Sequence, residues 1–528
     1  MDLAYDPAFL LAGASVFSAH KRLKIREKLC GKTFGSSLWT TRITSEALPL
    51  ALMLSKPFHS LLAGALLLGA CQVPEKTPPS MTELVAQDLG LSGEAAPPIA
   101  EDWWKVFNDP QADRLAARLL QSNPTLQAAM ARIRGAEAEL AGARSQLQPQ
   151  VNLDGSILGT QLSDEYILPA PYGGSWRWVS DIQARMRWSL DFWGKQAALI
   201  GKAANVAEAR RLDVLAARMA LAASFSQAYL GLLVSWQNID IAHQAVEDRR
   251  TILDLTRSRA EAGLENEAAL EQARTLLAAA EVDVMAAEAE RDVAVHALAA
   301  LTGQGAGAYG EIVRPTATLD NTLPLPRALP ADLLARRPDI AAARLRVSAA
   351  MRGRDAAHAD FYPNIDLTAA LGFQAVGLGN LFNSDALTAS AGPAIHLPLF
   401  DAGRIRAQYD LAGADLDLAI ADYNGAVLAA VRQTADALTQ VQSLATRRER
   451  QQAVLDSATR ALSLAEERYR LGLSDQIPVL TAEGMLLQAR RQMAGLHAQL
   501  ATQRVALLLS IGGGVTISES GQGRGDER

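Results

Sequence analysis

The sequence predicts an internally duplicated α+β membrane protein, in which four strands per chain continue into long helices. Three observations support this prediction: two halves with one order of motifs, strands with alternating apolar and polar side chains, and helical runs far longer than the average helix. Four strands are too few to close a barrel, since the smallest common barrels have about eight. Hydrocarbon does not tolerate an open sheet edge, so several copies must close the barrel together.

Composition agrees with long helices rather than with a compact globular core. The chain has 528 residues, of which 49% are hydrophobic and only 5% aromatic, and much of the apolar content is alanine and leucine. Small apolar residues at this density suit close-packed helices. The formal net charge is −6 with no large basic block, so nucleic acid is not an expected partner. The two cysteines, Cys30 and Cys71, do not indicate a disulfide framework.

The segment that ends at Cys71 resembles a bacterial lipoprotein signal. Lys56 supplies a positive start, and the apolar stretch that follows is too short to span a bilayer and ends in Leu-Gly-Ala-Cys. The resemblance implies cleavage before Cys71 and attachment of S-diacylglycerol and N-acyl lipid to it. Gln72, where an aspartate commonly retains lipoproteins in the inner membrane, favours the outer membrane. The alternative is a structural cysteine that follows an apolar helix.

This signal divides the N-terminal part of the chain. Residues 53–70 are interpreted as the signal peptide, with Met53 as the natural start. Residues 1–52 then form an extension upstream of that start, because a lipoprotein signal belongs near the first residue. Residues 71–100 are expected to be a flexible, lipid-anchored tether.

The two halves of the chain repeat one another. The stretch 119–124 resembles 333–338, and 148–153 resembles 362–367, with the same separation in both pairs. Two further pairs occur at a separation shorter by five residues: 191–195 with 400–404, and 262–264 with 471–473. A nearly constant separation over so many motifs indicates duplication.

The repeats define the organisation of the mature chain. The first repeat covers 101–303 and the second covers 333–512. Between them, 304–332 is rich in Pro and Gly and is predicted to be an extended equatorial connection that wraps the helices. The polar tail 513–528 is expected to be disordered.

Each repeat is predicted to contain two membrane strands, at about 149–161 and 176–190 in the first and about 363–373 and 387–397 in the second. In 176–190 the two faces differ sharply, because side chains alternate with period two. One face carries Trp176, Trp178, Ile182, Met186, Trp188 and Leu190, and the other carries Arg177, Asp181, Gln183, Arg185 and Arg187. A soluble sandwich could show such alternation, but strand length and tryptophans near the strand ends favour transmembrane strands.

The helical runs that follow the strands are predicted to form two long hairpins. Residues 195–261 contain no proline and could extend roughly 100 Å. Gly263 ends this run, and Gly472 is its counterpart in the second repeat. The return helices carry an apolar residue at alternating steps of three and four, with alanine at every second position of the seam. Hairpins that only stiffen a scaffold are the alternative, but they do not explain the strands.

Five stretches carry a resemblance to a known family: Leu190-Asp191-Phe192-Trp193-Gly194, Arg336-Arg337-Pro338-Asp339-Ile340, Phe361-Tyr362-Pro363-Asn364-Ile365, Pro398-Leu399-Phe400-Asp401-Ala402-Gly403 and Arg468-Tyr469-Arg470-Leu471-Gly472. The sequence resembles the outer-membrane efflux protein family, the TolC and OprM group, and within it the NodT-type lipoproteins. The resemblance covers about 101–512.

The resemblance implies an architecture, a function and partners. The architecture is a homotrimer with a twelve-stranded outer-membrane β-barrel, continued by a helical barrel in the periplasm. The function is a passive exit duct for drugs, toxic compounds or metals in a tripartite pump, without a catalytic site, a metal or any cofactor beyond the lipid on Cys71. The partners are a periplasmic adaptor and an inner-membrane transporter, most often of the RND class. A duct for type I protein secretion is the main alternative. A periplasmic adaptor and a nutrient porin fit less well, since neither combines duplicated strands with long helices.

The resemblance also implies that the tunnel closes where the hairpin turns converge, at 261–267 and 468–475. The gate candidates at these turns are Glu265, Glu267, Arg468, Tyr469 and Asp475. Threefold symmetry would bring three copies of each acid near the axis, and Arg468 is proposed as their partner. The alternative is that these residues are ordinary solvated turn residues and acids at helix N-termini.

Overall fold

A computed structural model describes residues 75–91, 99–161, 163–165, 173–317, 325–326, 328–330 and 332–514. The predicted extension, the signal peptide, Cys71 and most of the predicted disordered tail lie outside these residues.

The described residues form four strands and a set of helices in the duplicated order that the sequence predicts. The strands are β1 Gln150–Gln161, β2 Trp176–Leu190, β3 Asn364–Val376 and β4 Leu387–His396. The helices of the first half are α1 Pro110–Ser122, α2 Pro124–Ser145, α3 Lys195–Glu261 and α4 Glu267–Leu301. Those of the second half are the single turn α5 Leu333–Arg336, α6 Pro338–Ala359, α7 Arg404–Arg470 and α8 Ile477–Ser510.

The strands form one antiparallel sheet in the order β1-β2-β3-β4. The pairing of β2 with β3 joins the two repeats, and β1 and β4 are the edges of the sheet. β3 continues to Val376, beyond the predicted end at residue 373, because the 15-residue β2 supplies partners as far as Val179. Among the described residues, the sheet therefore has four strands and two edges without a pairing partner.

The helices form one layer below the sheet. Nearest the sheet, the order across the layer is α2-α3-α6-α7, which follows the strand order. Farther from the sheet, α4 and α8 take the places of α2 and α6, and the order becomes α4-α3-α8-α7. The helices α3 and α7 have 67 residues each and run the full height of the layer, about 100 Å. The outermost helices are thus α2 and α4 on one side and α7 on the other.

Two aspartates join the strands to the long helices. Asp191 accepts hydrogen bonds from the backbone N–H groups of Gln196 and Ala197, at 3.0 and 2.8 Å. Asp401 does the same for Gly403 and Ile405, at 3.0 and 2.8 Å. N–H groups at the start of a helix have no hydrogen-bond partner within the helix. These carboxylates accept their hydrogen bonds, and their negative charge interacts favourably with the positive end of the helix dipole. The duplicated motif of the sequence is therefore a duplicated helix cap at the base of the barrel.

The predicted alanine seams hold the hairpins together. In α4 the buried residues include Ala273, Ala280 and Ala287, one in every heptad. The seam of α8 alternates larger residues with Ala482 and Ala489. Small side chains at these positions allow close helix packing along the hairpin.

Arg291 departs from the apolar pattern of the α4 seam for a physical reason. Its guanidinium lies 5.3 Å from the ring centroid of Trp236, and Arg314 from the equatorial connection lies at the same distance from that ring. Arg314 also binds both carboxylate oxygens of Asp240. Cation–π contacts of this kind connect the hairpin to the equatorial connection.

The largest core cluster lies at the middle of the helical layer, where Trp103, Trp104 and Phe107 pack against Phe225 and Tyr229 of α3. The buried carboxylate of Asp109 organises the polar groups beside it. It accepts hydrogen bonds from Tyr229 Oη at 2.6 Å and from the backbone N–H groups of Gln111, Thr316 and Ala317. Burial alone would raise the pKa of Asp109, but these hydrogen bonds outweigh it and hold the pKa below its usual value.

Replacing Asp109 with alanine should loosen the equatorial connection. The substitution leaves buried donors unpaired, which costs roughly 2–4 kcal/mol. The pKa of Asp109 is lower in the folded state than in the unfolded state. The Asp109 carboxylate therefore contributes fully to the free energy of unfolding above the unfolded pKa of about 3.9, and this contribution is lost as pH falls through the folded pKa. Hydrogen exchange of residues 312–317 at neutral pH measures the effect. Asp102→Ala, at a half-exposed carboxylate nearby that pairs with Lys105, is the control; equal protection in Asp109→Ala and Asp102→Ala would contradict the prediction.

The segment Glu75–Leu91 is a strap bound to the outside of the helical layer, which corrects the expectation of a flexible tether for this part of the chain. Ser80 donates from its N–H and its hydroxyl to Asp417, and Asn424 bonds both the carbonyl of Thr82 and the N–H of Leu84. The prediction failed because these partners lie more than 330 residues away in the sequence.

The equatorial connection is only partly extended. Ala306–Glu311 forms a 3-10 helix, and residues 312–317 then run along the core beside Asp109. Val313 bonds the side chain of Gln111 through its N–H and its carbonyl, so the connection is attached to the helices as the sequence predicts.

Candidate functional site

The outward face of the sheet has the dimensions of a membrane-spanning band. Trp178 and Trp188 lie on this face of β2, ten residues apart. At about 3.3 Å per residue and a tilt of about 40°, this separation corresponds to roughly 25 Å across the membrane, the usual height of the apolar band between aromatic girdles. Exposed apolar side chains lie between the girdles, among them Leu153 and Leu371.

The lower aromatic girdle, which consists of Trp188, Trp193 and Tyr362, anchors the sheet to the helices. The rings of Trp193 and Tyr362 stack with centroids 4.7 Å apart. The indole N–H groups donate to backbone carbonyls, Trp188 to Leu147 and Trp193 to Pro363, at 2.9 and 2.8 Å. Amphipathic rings with satisfied N–H groups suit the membrane–water boundary. The base of the barrel is therefore fixed at the level of Trp193.

The inward face of the sheet carries paired charges. Arg187 donates from Nε to Asp366 at 2.9 Å, and Arg185 pairs with Asp181 at 3.1 Å. Below these pairs, a cavity of about 610 Å³ opens at the junction of barrel and helices. Its lining includes Gln150 and His396, which lie on the same face as Arg187. This wall is polar, as the lumen of a barrel is.

Each of the two lateral edges of the helical layer carries an exposed stripe of side chains. The stripe on one edge contains leucines, and the stripe on the other edge contains only small residues. On α7, opposite the residues that pack on α6, every third or fourth residue is exposed or half-buried and is apolar or small: Leu411, Ala414, Leu418, Ala421, Gly425 and Leu428. On α2, opposite the residues that pack on α3, the exposed stripe has only small residues: Ala128, Ala131, Gly135, Ala138 and Gly142. A heptad stripe of this kind is the surface that one helix presents to another. Neither edge stripe therefore packs against another helix in the part of the chain that the structure describes.

The hairpin turns at the far end of the layer have one common conformation. Gly263 and Gly472 have φ of 71° and 74°, which glycine adopts without strain. The next N–H in each turn, of Leu264 and of Leu473, reaches back to a carbonyl of the preceding helix at 2.8 and 2.9 Å. This arrangement ends both long helices as the sequence predicts. Both leucines are exposed, at 66%.

A network of five residues joins the two hairpins near these turns. We call it the tip network, and its members are Thr256, Arg259, Glu265, Tyr469 and Gln476. The Arg259 guanidinium lies 4.5 Å from the centroid of the Tyr469 ring and donates to the Tyr469 carbonyl at 2.9 Å. The Tyr469 hydroxyl donates to Glu265 Oε2 at 3.3 Å and lies 3.3 Å from Thr256 Oγ1.

The network is largely buried, and two of its polar atoms, Arg259 Nε and Gln476 Oε1, have no hydrogen-bond partner among the described residues. Gln476 Nε2 donates to Thr256 at 2.9 Å, and Arg259 Nε lies 3.7 Å from Glu265 Oε2. Tyr469 has no exposed surface, and burial raises the pKa of its phenol. A charged pair with one oriented aromatic ring between two hairpins fixes their relative position.

The structure separates the five predicted gate candidates into two groups. Tyr469 and Glu265 belong to the tip network, whereas Glu267, Arg468 and Asp475 are exposed on the turns. Within the chain, the cation beside Glu265 is Arg259 and not Arg468. Among the described residues, Arg468 and Asp475 have no side-chain partner, so their pairing across the axis stays a prediction.

A second link between the hairpins lies farther from the turns. The side chain of Arg249 in α3 pairs with Glu483 of α8 at 3.1 Å and donates to the carbonyl of Leu276 in α4 at 2.8 Å. Both members of this pair are mostly buried, and burial raises the pKa of Glu483 despite the nearby arginine. Sequence periodicity gives no sign of this pair.

In the described part of the chain, no group of His, Cys, Asp or Glu side chains is arranged to hold a metal ion.

Comparison with known proteins gives one consistent result. Residues 115–304 and 329–513 match a family model described as "Outer membrane efflux protein". The chain is 36% identical to the fusaric acid resistance protein FusA of Burkholderia cepacia over 367 residues, 67% of this chain and 69% of FusA. It is 29% identical to the multidrug resistance outer membrane protein MdtP of Escherichia coli over 471 residues, 86% of this chain and 96% of MdtP. Among solved structures, the outer membrane protein VceC of Vibrio cholerae is similar, with a TM-score of 0.73 and 33% identity over 79% of this chain and 99% of VceC.

Proposed function

The chain belongs to the outer membrane efflux protein family, and we propose that it forms the passive exit duct of a tripartite efflux pump for small molecules. One observation carries the proposal: a four-stranded sheet with an apolar outer face continues, without a break, into a helical layer about 100 Å high. A sheet of that kind spans the outer membrane, and helices of that length extend far into the periplasm. The combination makes a duct rather than a pore confined to the membrane.

The duct closes, in our proposal, by assembly of three copies into a ring. Both sheet edges would otherwise expose unpaired backbone groups to hydrocarbon. Three copies give twelve strands, within the range of closed membrane barrels. The edge stripes of the helical layer support the same ring, since the leucines of α7 fit the small residues of α2. Leu411 lies about 10 Å from the barrel end of α7, and Ala138 lies at the same distance from the barrel end of α2.

The exposed leucines of the hairpin turns are proposed to receive the periplasmic adaptor. Leu264 and Leu473 occupy equivalent positions after the two turn glycines, and Leu471 and Ile477 extend the apolar surface. Apolar side chains at the most remote point of a soluble helical tube suit a protein partner. An inner-membrane transporter of the RND class, which would drive the transport, completes the proposed pump.

The tip network is proposed to be the latch that keeps the periplasmic end narrow. It holds the hairpin of α7 and α8 against the hairpin of α3 and α4 through Arg259 and Tyr469. Opening requires the hairpins to separate, so the network must break in each chain. The exposed Asp475, Arg468 and Glu267 are proposed to act between chains, near the axis.

A lipid on Cys71 is proposed as an additional membrane anchor. Lys76 of the strap pairs with Asp355 at 2.7 Å, four residues before the end of α6 at the barrel junction. Cys71 is five residues from Lys76, so an extended chain could reach about 17 Å farther, to the membrane surface. Mass spectrometry of the N-terminal peptide tests the anchor and the start at Met53. An unmodified Cys71, or peptides from residues 1–52, would contradict them.

Accumulation of a fluorescent efflux substrate such as ethidium tests the function as a whole. A strain without this gene should accumulate more dye than its parent, and the wild-type gene should restore low accumulation. The adaptor and transporter stay unchanged in both strains. Unchanged accumulation of dye and of other small toxic compounds, together with loss of a secreted protein, would instead indicate the type I secretion duct.

A further inference from the structure

A groove between α3 and α6 lies on the outer surface, directly below the lower aromatic girdle. Its volume is about 510 Å³, and the stacked rings of Trp193 and Tyr362 form its upper end. The floor is made of residues with little or no side chain: Gly194, Ala197, Ala198, Gly201 and Ala204. Lys76 of the strap and Arg352 of α6 lie among the lining residues.

Helix geometry places the groove on the face away from the lumen. Lys195 and Gln196 of α3 line the inner cavity with Arg187 and His396, whereas Ala197 and Ala204 line the groove. At 100° per residue the two sets point to opposite sides of α3. The groove also lies between the two middle helices of the layer, so closure of the proposed ring at α2 and α7 leaves it open.

The charged side chains that line the groove leave an excess of one positive charge. Lys76 is neutralised by Asp355, but the exposed Arg352 forms no ion pair or hydrogen bond within the described residues. Its aliphatic part lies about 3.5 Å from where a side chain at Gly201 would begin, so the guanidinium extends over the groove floor. Arg352 lies seven residues, or about 10 Å, before the end of α6. An arginine at that depth can reach the headgroup region of a bilayer that ends at the girdle.

We propose that this groove binds the phosphate-bearing headgroup of a phospholipid from the periplasmic leaflet of the outer membrane. The Arg352 guanidinium donates to the phosphate oxygens, the neutral pair of Lys76 and Asp355 forms part of the rim, and the small floor residues let the headgroup approach the helix. Basic pockets between helices at a membrane surface recognise anionic headgroups in this way. The inference rests on the proposed membrane level of the girdle and adds a ligand to it.

Native mass spectrometry of the detergent-purified assembly, titrated with phosphatidylglycerol, tests the proposal. The wild type should retain bound lipid, and Arg352→Gln should weaken binding about fivefold or more, as expected for one cation near a headgroup. Ala204→Leu, which fills the floor without changing charge, should weaken it as well. Arg406→Gln, an exposed arginine of α7 outside the groove, is the matched control and should bind as the wild type does.

Two results would overturn the proposal. One is wild-type affinity in both Arg352→Gln and Ala204→Leu. The other is displacement of the lipid by millimolar inorganic phosphate, which would assign the groove to a free anion. Failure here is distinguishable from failure of the duct function, because all four proteins are also assayed for the mass of the assembly and for dye accumulation, which depend on the ring and not on the groove.

Discussion

Replacing Arg259 with alanine is expected to raise the closed-state conductance of the channel in planar bilayers. The substitution removes the hydrogen bond to the Tyr469 carbonyl, the contact with the Tyr469 ring and the charge beside Glu265. These contacts contribute roughly 2 kcal/mol per chain, so a ring of three loses roughly 6 kcal/mol. A shift of about 5.5 kcal/mol takes a two-state equilibrium from 1:99 to 99:1. The variant should therefore be open for most of the recording.

The control for this experiment lies two residues away on the same helix. Arg257→Ala removes an exposed arginine that pairs with Asp254 on the surface of α3, and it should leave the conductance unchanged. Tyr469→Phe, which deletes only the hydroxyl, should open the channel less than Arg259→Ala does. If Arg259→Ala conducts like the wild type, the tip network is not the latch. Asp475→Ala in the same assay reports separately on the contacts near the axis.

Placing arginine at Leu411 and Leu418 together is expected to prevent assembly. Both side chains are more than 60% exposed in the single chain and lie on the α7 edge stripe. Burying each against α2 of the next chain contributes roughly 1–2 kcal/mol, and a ring of three buries six of them. Two arginines per seam would face the small residues at Ala131 and Ala138 without room or partner. Native mass spectrometry should therefore show single chains where the wild type shows three.

Arginines at exposed apolar positions outside the two edges provide the matched control. Met351→Arg with Met485→Arg adds the same charge at exposed positions of α6 and α8, the middle helices of the layer, where no neighbouring chain is expected. This variant should assemble as the wild type does. Circular dichroism should show equal helix content in both variants, which separates lost assembly from lost folding. Assembly of Leu411→Arg with Leu418→Arg into trimers would contradict the proposed seam.

The parts of the fold that depend on local periodicity could be predicted from the sequence. The alternation in residues 176–190 gives both faces of β2, and the steps of three and four with alanine give the seam of α4. Turn chemistry is equally local, so Gly263 and Gly472 mark both hairpin turns. The edge stripe of α7 has the same periodicity, but deciding which of two stripes on one helix faces a neighbour requires the order of helices in the layer.

The parts that depend on distant partners could not be predicted. Arg259 has no distinctive sequence context, and its partner Tyr469 lies 210 residues away. The strap was expected to be a flexible tether, and the partners that bind it in place, among them Asp417 and Asn424 on α7 and Asp355 on α6, are distant in the sequence. Tyr469 was predicted as a gate candidate at the hairpin turn, but nothing in the sequence indicates that its side chain is buried between the hairpins, where Arg259 lies against the ring.

In the proposed duct, open sheets and open helical layers close into one channel by repetition of the chain. Electron cryomicroscopy of the purified protein in lipid nanodiscs measures this directly. We expect three chains around one axis, with β4 of each beside β1 of the next, α7 against α2, and one lumen continuous from barrel to hairpin turns. A single chain, a ring joined at other edges, or a barrel whose lumen does not continue between the helices would contradict the account.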